Sequence, residues 1–251
     1  MLLRRITRHL NDQNWFAVVL DIAVVILGVF IGLQVDDWNN ERKERAQEQA
    51  ILERLLSEAE NSVAFISEIV EDWAAQNETL KELIAFISDP DQFPMNEARA
   101  ANVFPGLSRF PSMKPSRTVL DELTASGQLK LIRSQSIRDA MGQYVAALAW
   151  HDGQLENFRS DAGKVMDVSL PYLDARYAPE RPGVREIIID WQALRADKSV
   201  IFTAISSLRN LYVFQSYRES VLNDAQNLCD ALATEIGLEC EPKGAEPAGE
   251  E

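Results

Sequence analysis

Residues 52–87 read LERLLSEAENSVAFISEIVEDWAAQNETLKELIAFI, and their spacing decides the fold class. Apolar or small residues recur at alternating intervals of four and three: Leu52, Leu56, Ala59, Val63, Ile66, Val70, Trp73, Asn77, Leu80, Ile84 and Ile87. That period places them along one side of an α-helix, and Asn77 is the one polar residue in the row. Leu55, Ile69 and Leu83 widen the stripe beyond a two-position seam, which suits a multi-helix bundle better than a two-stranded coiled coil. Asp89-Pro90 ends the run.

Two further stretches carry the same period. One reads Ile137, Met141, Tyr144, Leu148, His151, Leu155, Phe158, Ala162, Val165, Ser169, after an N-cap at Ser134 or Ser136. The other reads Ile201, Ala204, Leu208, Leu211, Gln215, Arg218, Leu222, Ala225, Cys229, Leu232, Ile236, with Gly237 as its stop. Between the first two, five prolines from Pro90 to Pro115 leave room only for a short helix near Glu97–Val103. A capping helix then opens at Ser116-Arg117-Thr118 and closes at Ser126-Gly127. Residues 176–198 hold Pro179, Pro182 and Gly183 and then Ile187–Trp191, a strand-like stretch or a helical turn.

Upstream, Phe16–Val35 carries a single charge, Asp21, and at about 1.5 Å per residue it covers the roughly 30 Å of a bilayer's hydrocarbon. Trp15 and Trp38 flank it, as indoles flank membrane spans. A cleavable signal peptide shares the basic start Arg4, Arg5, Arg8. The run is longer than a signal core, however, contains an acid, and lacks an A-x-A-like cleavage site. The expected fold is therefore all-α: an N-terminal transmembrane helix, then an antiparallel bundle of long helices with a short capping helix. The expected divisions are 1–15, a basic tail; 16–35, the span; 36–240, the membrane-proximal segment and bundle; and 241–251, a disordered Pro/Gly/Glu-rich tail.

Composition narrows function by exclusion. Lys+Arg 25 against Asp+Glu 39 gives a net charge of −14, unsuited to nucleic acid, which requires a basic face. Two Cys and two His cannot build a Cys-rich zinc site, and no metal or cofactor is expected. The chain contains no G-x-S-x-G, phosphate-binding P-loop, H-E-x-x-H, G-x-G-x-x-G or EF-hand pattern, so no catalytic residue is assigned.

The end of the span, Gly28-Val29-Phe30-Ile31-Gly32-Leu33-Gln34-Val35 running into Asp37-Trp38-Asn39, resembles the signature of a family of uncharacterised bacterial single-span membrane proteins. In that family a similar apolar stretch ends in Leu-Gln-x-x-x-Trp-Asn. Leu120–Ile132, with Ser126-Gly127-Gln128-Leu129-Lys130-Leu131-Ile132, is similar to the family's second recognisable block. The resemblance implies a bacterial membrane-anchored helical protein and offers no catalytic residue. This sequence departs from the pattern in having Asp21 where Glu is more usual.

Three sets of residues stand out as candidate sites. Asp21, Gly28 and Gly32 share one helix face, and Gly28/Gly32 form a G-x-x-x-G that lets two helices approach, as in a homodimer through the span. The alternatives for Asp21 are an acid that snorkels to the headgroups and a site of proton or ion chemistry. His151, Gln215 and Arg218 lie on apolar seams and fall at one level if the long helices pack up-down-up. They form either a satisfied polar core layer, with Arg218 snorkelling or paired to an acid such as Asp72 or Asp152, or a small anion-binding or pH-sensing pocket. Cys229 and Cys240 should lie close together because Gly237 turns the chain back. They could bridge, or Cys229 could be a buried apolar residue and Cys240 an exposed thiol.

Two function classes follow. One is a membrane-anchored interaction or sensory module acting through a partner membrane protein. The alternative is a small-ligand binding protein or unrecognised enzyme using the bundle interior. The positive-inside comparison is tied between Arg4, Arg5, Arg8 and Arg42, Lys43, Arg45. Because the first three are not interleaved with acids, a bacterial inner-membrane location with the bundle in the periplasm is the expected topology.

Overall fold

A computed structural model describes residues 15–177, 179 and 185–242, with the side chains of residues 15–18, 21, 177 and 185 outside the described set. Among the described residues the three periodic runs, the span and the short capped segments form six α-helices and one hairpin. They are α1 (Trp15–Ser88), α2 (Glu97–Val103), α3 (Thr118–Ser126), α4 (Gln135–Ser169), β1 (Leu173–Tyr177), β2 (Arg185–Ile189), α5 (Trp191–Ala196) and α6 (Lys198–Ile236). The fold is all-α apart from that two-stranded sheet. The chain divides into two units, Met1–Ile51 and Leu52–Glu251.

In the first unit, α1 carries an apolar stretch on which nothing among the described residues packs. The large apolar side chains from Val19 to Val35 are all more than half exposed, from 52% for Leu20 to 65% for Val25. Burying side chains of this size stabilises by about 1.5–3 kcal/mol each, so a run of them left bare in water is unfavourable and calls for an apolar surrounding. This helix is long and apolar enough to cross a membrane.

The second unit buries the other face of the pattern. Of the row quoted first, Leu52, Leu56, Ala59, Val63, Ile66, Trp73, Asn77, Leu80 and Ile87 are buried. The direction of each long helix follows from its contacts. Gln215 Nε2 donates to the Val70 carbonyl (2.9 Å) and Tyr212 Oη to Glu78 (2.8 Å), so α6 runs antiparallel to α1. Helix α6 begins where α4 ends, with Tyr172 Oη bonded to its N-cap Asp197 (2.9 Å), so α4 and α6 are also antiparallel.

Helices α1 and α4 therefore run the same way, and the up-down-up order gives way to up-up-down. The physical reason is the proline-rich connection, which travels back along α1 instead of turning at once. Arg99 pairs with Glu82 (2.9 Å), and the 3₁₀ turn Phe104–Ser108 then presses Gly106 against α1. A Cβ on Gly106 would lie 3.1 Å from both Gln76 and Leu80. Further down, Ser62 donates to the Ser116 carbonyl (3.2 Å) and Arg54 pairs with Glu122 (2.5 Å).

Helix α3 is docked by α1. Its own N-cap, Arg117, makes no side-chain cap, and the Glu58 carboxylate accepts instead from Val119 N (2.7 Å) and Leu120 N (3.2 Å). A carboxylate placed there satisfies orphan amides and complements the positive end of the helix dipole. Gly127 (φ 68°) and Gly237 (φ 74°) close α3 and α6 in the left-handed conformation that only glycine adopts freely. At the other end, β1 and β2 pair in the register Leu173↔Ile189 to Tyr177↔Arg185, and Trp191 of α5 packs edge-on against Phe86 (5.3 Å) and Phe104 (6.2 Å). The segment 176–198 thus contains both the strand and the helical turn.

Candidate functional site

The middle of the bundle holds a polar layer. Phe214 and Gln215 on α6 face α1 and α4, and the next turn brings Arg218 to the same level. Burial is nearly complete: His151 is 0% exposed, Arg218 1% and Gln215 5%. Of the three residues singled out in the sequence, His151 and Arg218 meet on one ring, since His151 stacks on Phe214 (4.7 Å) and the Arg218 guanidinium lies 4.6 Å from it, while Gln215 turns to the Val70 carbonyl of α1.

Arg218 has no acid beside it. Its guanidinium sits 4.7 Å from the Trp73 ring and 4.6 Å from Phe214, and Nη2 makes one long bond to the Pro111 carbonyl (3.4 Å) while Nε has no partner. Neither Asp72 nor Asp152 pairs with it, and at 1% exposure it does not snorkel to solvent, so neither of the two expected arrangements is present. The cation is compensated instead by two π faces and a carbonyl, weaker partners than a carboxylate. Burial pushes its pKa down to about 10, which still leaves it protonated near neutral pH.

His151 is held as a neutral ring. Nδ1 faces the half-exposed Asp152 carboxylate (3.1 Å) and Nε2 is buried without a partner. Burial pushes its pKa below the usual imidazole value, outweighing the opposing pull of Asp152, and the nearby Arg218 charge acts in the same direction as burial. In the tautomer whose Nδ1–H donates to the Asp152 carboxylate, Nε2 presents a lone pair. Gln215 anchors its amide nitrogen on the Val70 carbonyl and leaves Oε1 unmatched. Asn77 on α1, 1% exposed, leaves both Nδ2 and Oδ1 unmatched. Its place as the one polar residue in the α1 stripe was visible in the sequence. The Trp73–Phe214 sandwich could not be read from spacing, since it depends on which aromatic meets which across two helices.

Chemically the layer offers one cation, one imidazole lone pair and the free amide oxygen of Gln215, with no nucleophile and no carboxylate pair among the described residues. A surface hollow of about 530 Å³ lies elsewhere, lined by Glu78, Glu82, Phe93, Met95 and Arg99 among others. Among the described residues no group of three or more His, Cys, Asp or Glu could hold a metal ion.

In the span, a Cβ at Gly28 or Gly32 would meet nothing within 4 Å, so their surface is open. The Asp21 side chain lies outside the described residues. Cys229 and Cys240 are joined in a disulfide, with Cα atoms 5.6 Å apart across 11 residues. Gly237 makes the return, and Glu241 N then bonds Glu60 of α1 (3.2 Å). The chain from Lys243 onward lies outside the described residues, and with it most of the segment read as a disordered tail.

Compared with protein-family models, with curated proteins and with solved structures, the chain matches none.

Proposed function

We propose that this protein is a membrane-anchored helical interaction or sensory module that acts through a partner membrane protein. The observation that carries the reading is the uncovered apolar stretch of α1, which precedes a bundle whose own apolar stripe is buried. With one membrane-competent helix among the described residues and no catalytic constellation, such a module works by contact, and the sequence resemblance to bacterial single-span proteins is in keeping with that role. The bundle faces the periplasm, where a disulfide such as Cys229–Cys240 persists. The test is site-specific photocrosslinking from the bundle surface in intact cells of the native host. A discrete crosslinked partner that disappears when the span is replaced by a cleavable signal supports the reading; crosslinks unaffected by loss of the span would overturn it.

A second reading, a small-anion binder using the bundle interior, is favoured by one specific observation: Arg218 is buried without an acid. Melting curves at constant ionic strength separate the two. A rise in melting temperature with phosphate, sulfate or chloride that Arg218→Met abolishes supports the anion reading, and equal curves for all salts exclude it.

A further inference from the structure

Helix α1 carries a second face that neither the bundle nor the small-residue motif uses. Leu20, Val24, Leu27, Ile31 and Trp38 recur at helical spacing and are 52%, 60%, 58%, 59% and 63% exposed. At about 100° per residue, Arg42 and Arg45 continue this ridge within about 40° of Trp38. Asp21, Gly28 and Gly32 lie about 80–120° away, so contacts through the two faces do not compete.

The heights decide the occupant. Taking Val35 as the end of the apolar run, Trp38 lies about 4.5 Å beyond it and Arg42 about 10 Å beyond it, at 1.5 Å per residue. The headgroup layer on each side of the hydrocarbon is about 5–8 Å deep. Helical side chains lean toward the N-terminus, which here is toward the span. Accordingly, the Arg42 guanidinium sits over the ring of Trp38, 6.0 Å from its centroid and one turn below its own Cα. That places a cation and an indole in the layer that holds lipid phosphates.

Charge agrees with position. Arg45 reaches back one turn to pair with Glu41 (2.5 Å), offsetting the nearest carboxylate on this side. The other acids of the segment point elsewhere: Asp37 and Glu44 lie about 100–120° from Trp38, and Asp36, within reach of Asn40 (3.4 Å), is about 160° away. A shallow hollow of about 260 Å³ is lined by Trp38, Glu41, Arg42 and Arg45.

Building on the membrane-anchored reading, we propose that Trp38 and Arg42 bind the phosphate of a glycerophospholipid in the leaflet that α1 leaves at Val35, with an acyl chain lying along Ile31, Leu27, Val24 and Leu20. Arg42 donates to the phosphate oxygens, Trp38 packs against the glycerol region, and Arg45 keeps Glu41 from repelling the ligand.

The test is native mass spectrometry of the full chain released from nanodiscs of phosphatidylcholine with a minor share of phosphatidylglycerol, reading the fraction of chains that retain a phospholipid. Wild type should retain lipid, Arg42→Gln should retain about fivefold less, as expected for the loss of one cationic contact at a membrane surface, and Lys43→Gln should match wild type. Lys43 is the control because it lies about 140° around the helix. Equal retention by wild type and Arg42→Gln overturns the site, and an equal drop for Lys43→Gln overturns its location on this face. Displacement of retained lipid by millimolar inorganic phosphate overturns the lipid as its ligand. Carbonate extraction of all three proteins separates this inference from the one beneath it. Wild type in the supernatant defeats the membrane anchor itself, whereas pelleted protein without a retention difference defeats only the lipid site.

Discussion

Arg218 and His151 set opposite demands on the same layer. Arg218 is a protonated side chain compensated by rings and one carbonyl, so exchanging it for an apolar side chain of similar length removes a desolvation cost. Arg218→Met should stabilise the folded chain by about 1 kcal/mol, whereas Arg218→Ala, which also opens a cavity, should destabilise it by about 2–3 kcal/mol. Denaturant unfolding of the detergent-solubilised chain measures both, and a large loss in Arg218→Met would show that the charge is held by more than the aromatic faces. For His151 the folded pKa is depressed, so the unfolded chain takes up the proton first. Its contribution is fully present above the unfolded value near 6.5 and is lost as pH falls through and below it, at up to about 1.4 kcal/mol per pH unit. In unfolding measured between pH 7.5 and 5, His151→Asn should flatten the slope; an unchanged slope would place the acid sensitivity elsewhere. The residues of this layer were legible from seam position alone, because a polar residue on an apolar stripe must be buried. What compensates them was not, because side-chain partners across helices carry no signature in linear spacing.

Among the elements, the helices with their own punctuation were legible and those held by others were not. Gly127 and Gly237 end α3 and α6 as their positions suggested, and the short helix among the prolines falls at Glu97–Val103. Strand β1 escaped, since Leu173–Tyr177 becomes a strand only by pairing with β2. The cap of α3 comes from Glu58, about sixty positions earlier, so no local motif announces it. Glu58→Ala should cost about 1 kcal/mol and speed amide exchange at Val119 and Leu120 more than elsewhere in the bundle. Uniform exchange would mean that α3 is held by packing alone. The Cys229–Cys240 bridge closes a short loop at the end of α6, so reduction should lower stability by about 2–3 kcal/mol, read as a drop in melting temperature on adding reductant. Cys229→Ser, which already lacks the bridge, should not respond.

Across the whole molecule, the pattern of exposed and buried apolar residues divides α1 by function. From Val19 to Val35 its large apolar side chains are bare, and from Leu52 onward its stripe is covered by α4, α6 and the returning connection. The all-α class followed from three periodic runs, but helix direction did not: spacing fixes which face is buried and is silent on whether a connection turns at once or travels back. Gly106, with no room for a Cβ beside Gln76 and Leu80, marks where that return presses on α1.

The proposed anchor requires residues 16–35 to form an uncleaved membrane span, and alkaline carbonate extraction of membranes from cells producing the full chain, followed by intact-mass measurement, decides it. The chain should remain in the pellet at full mass. Release into the supernatant, or a mature N-terminus beginning after Gly32, would contradict it.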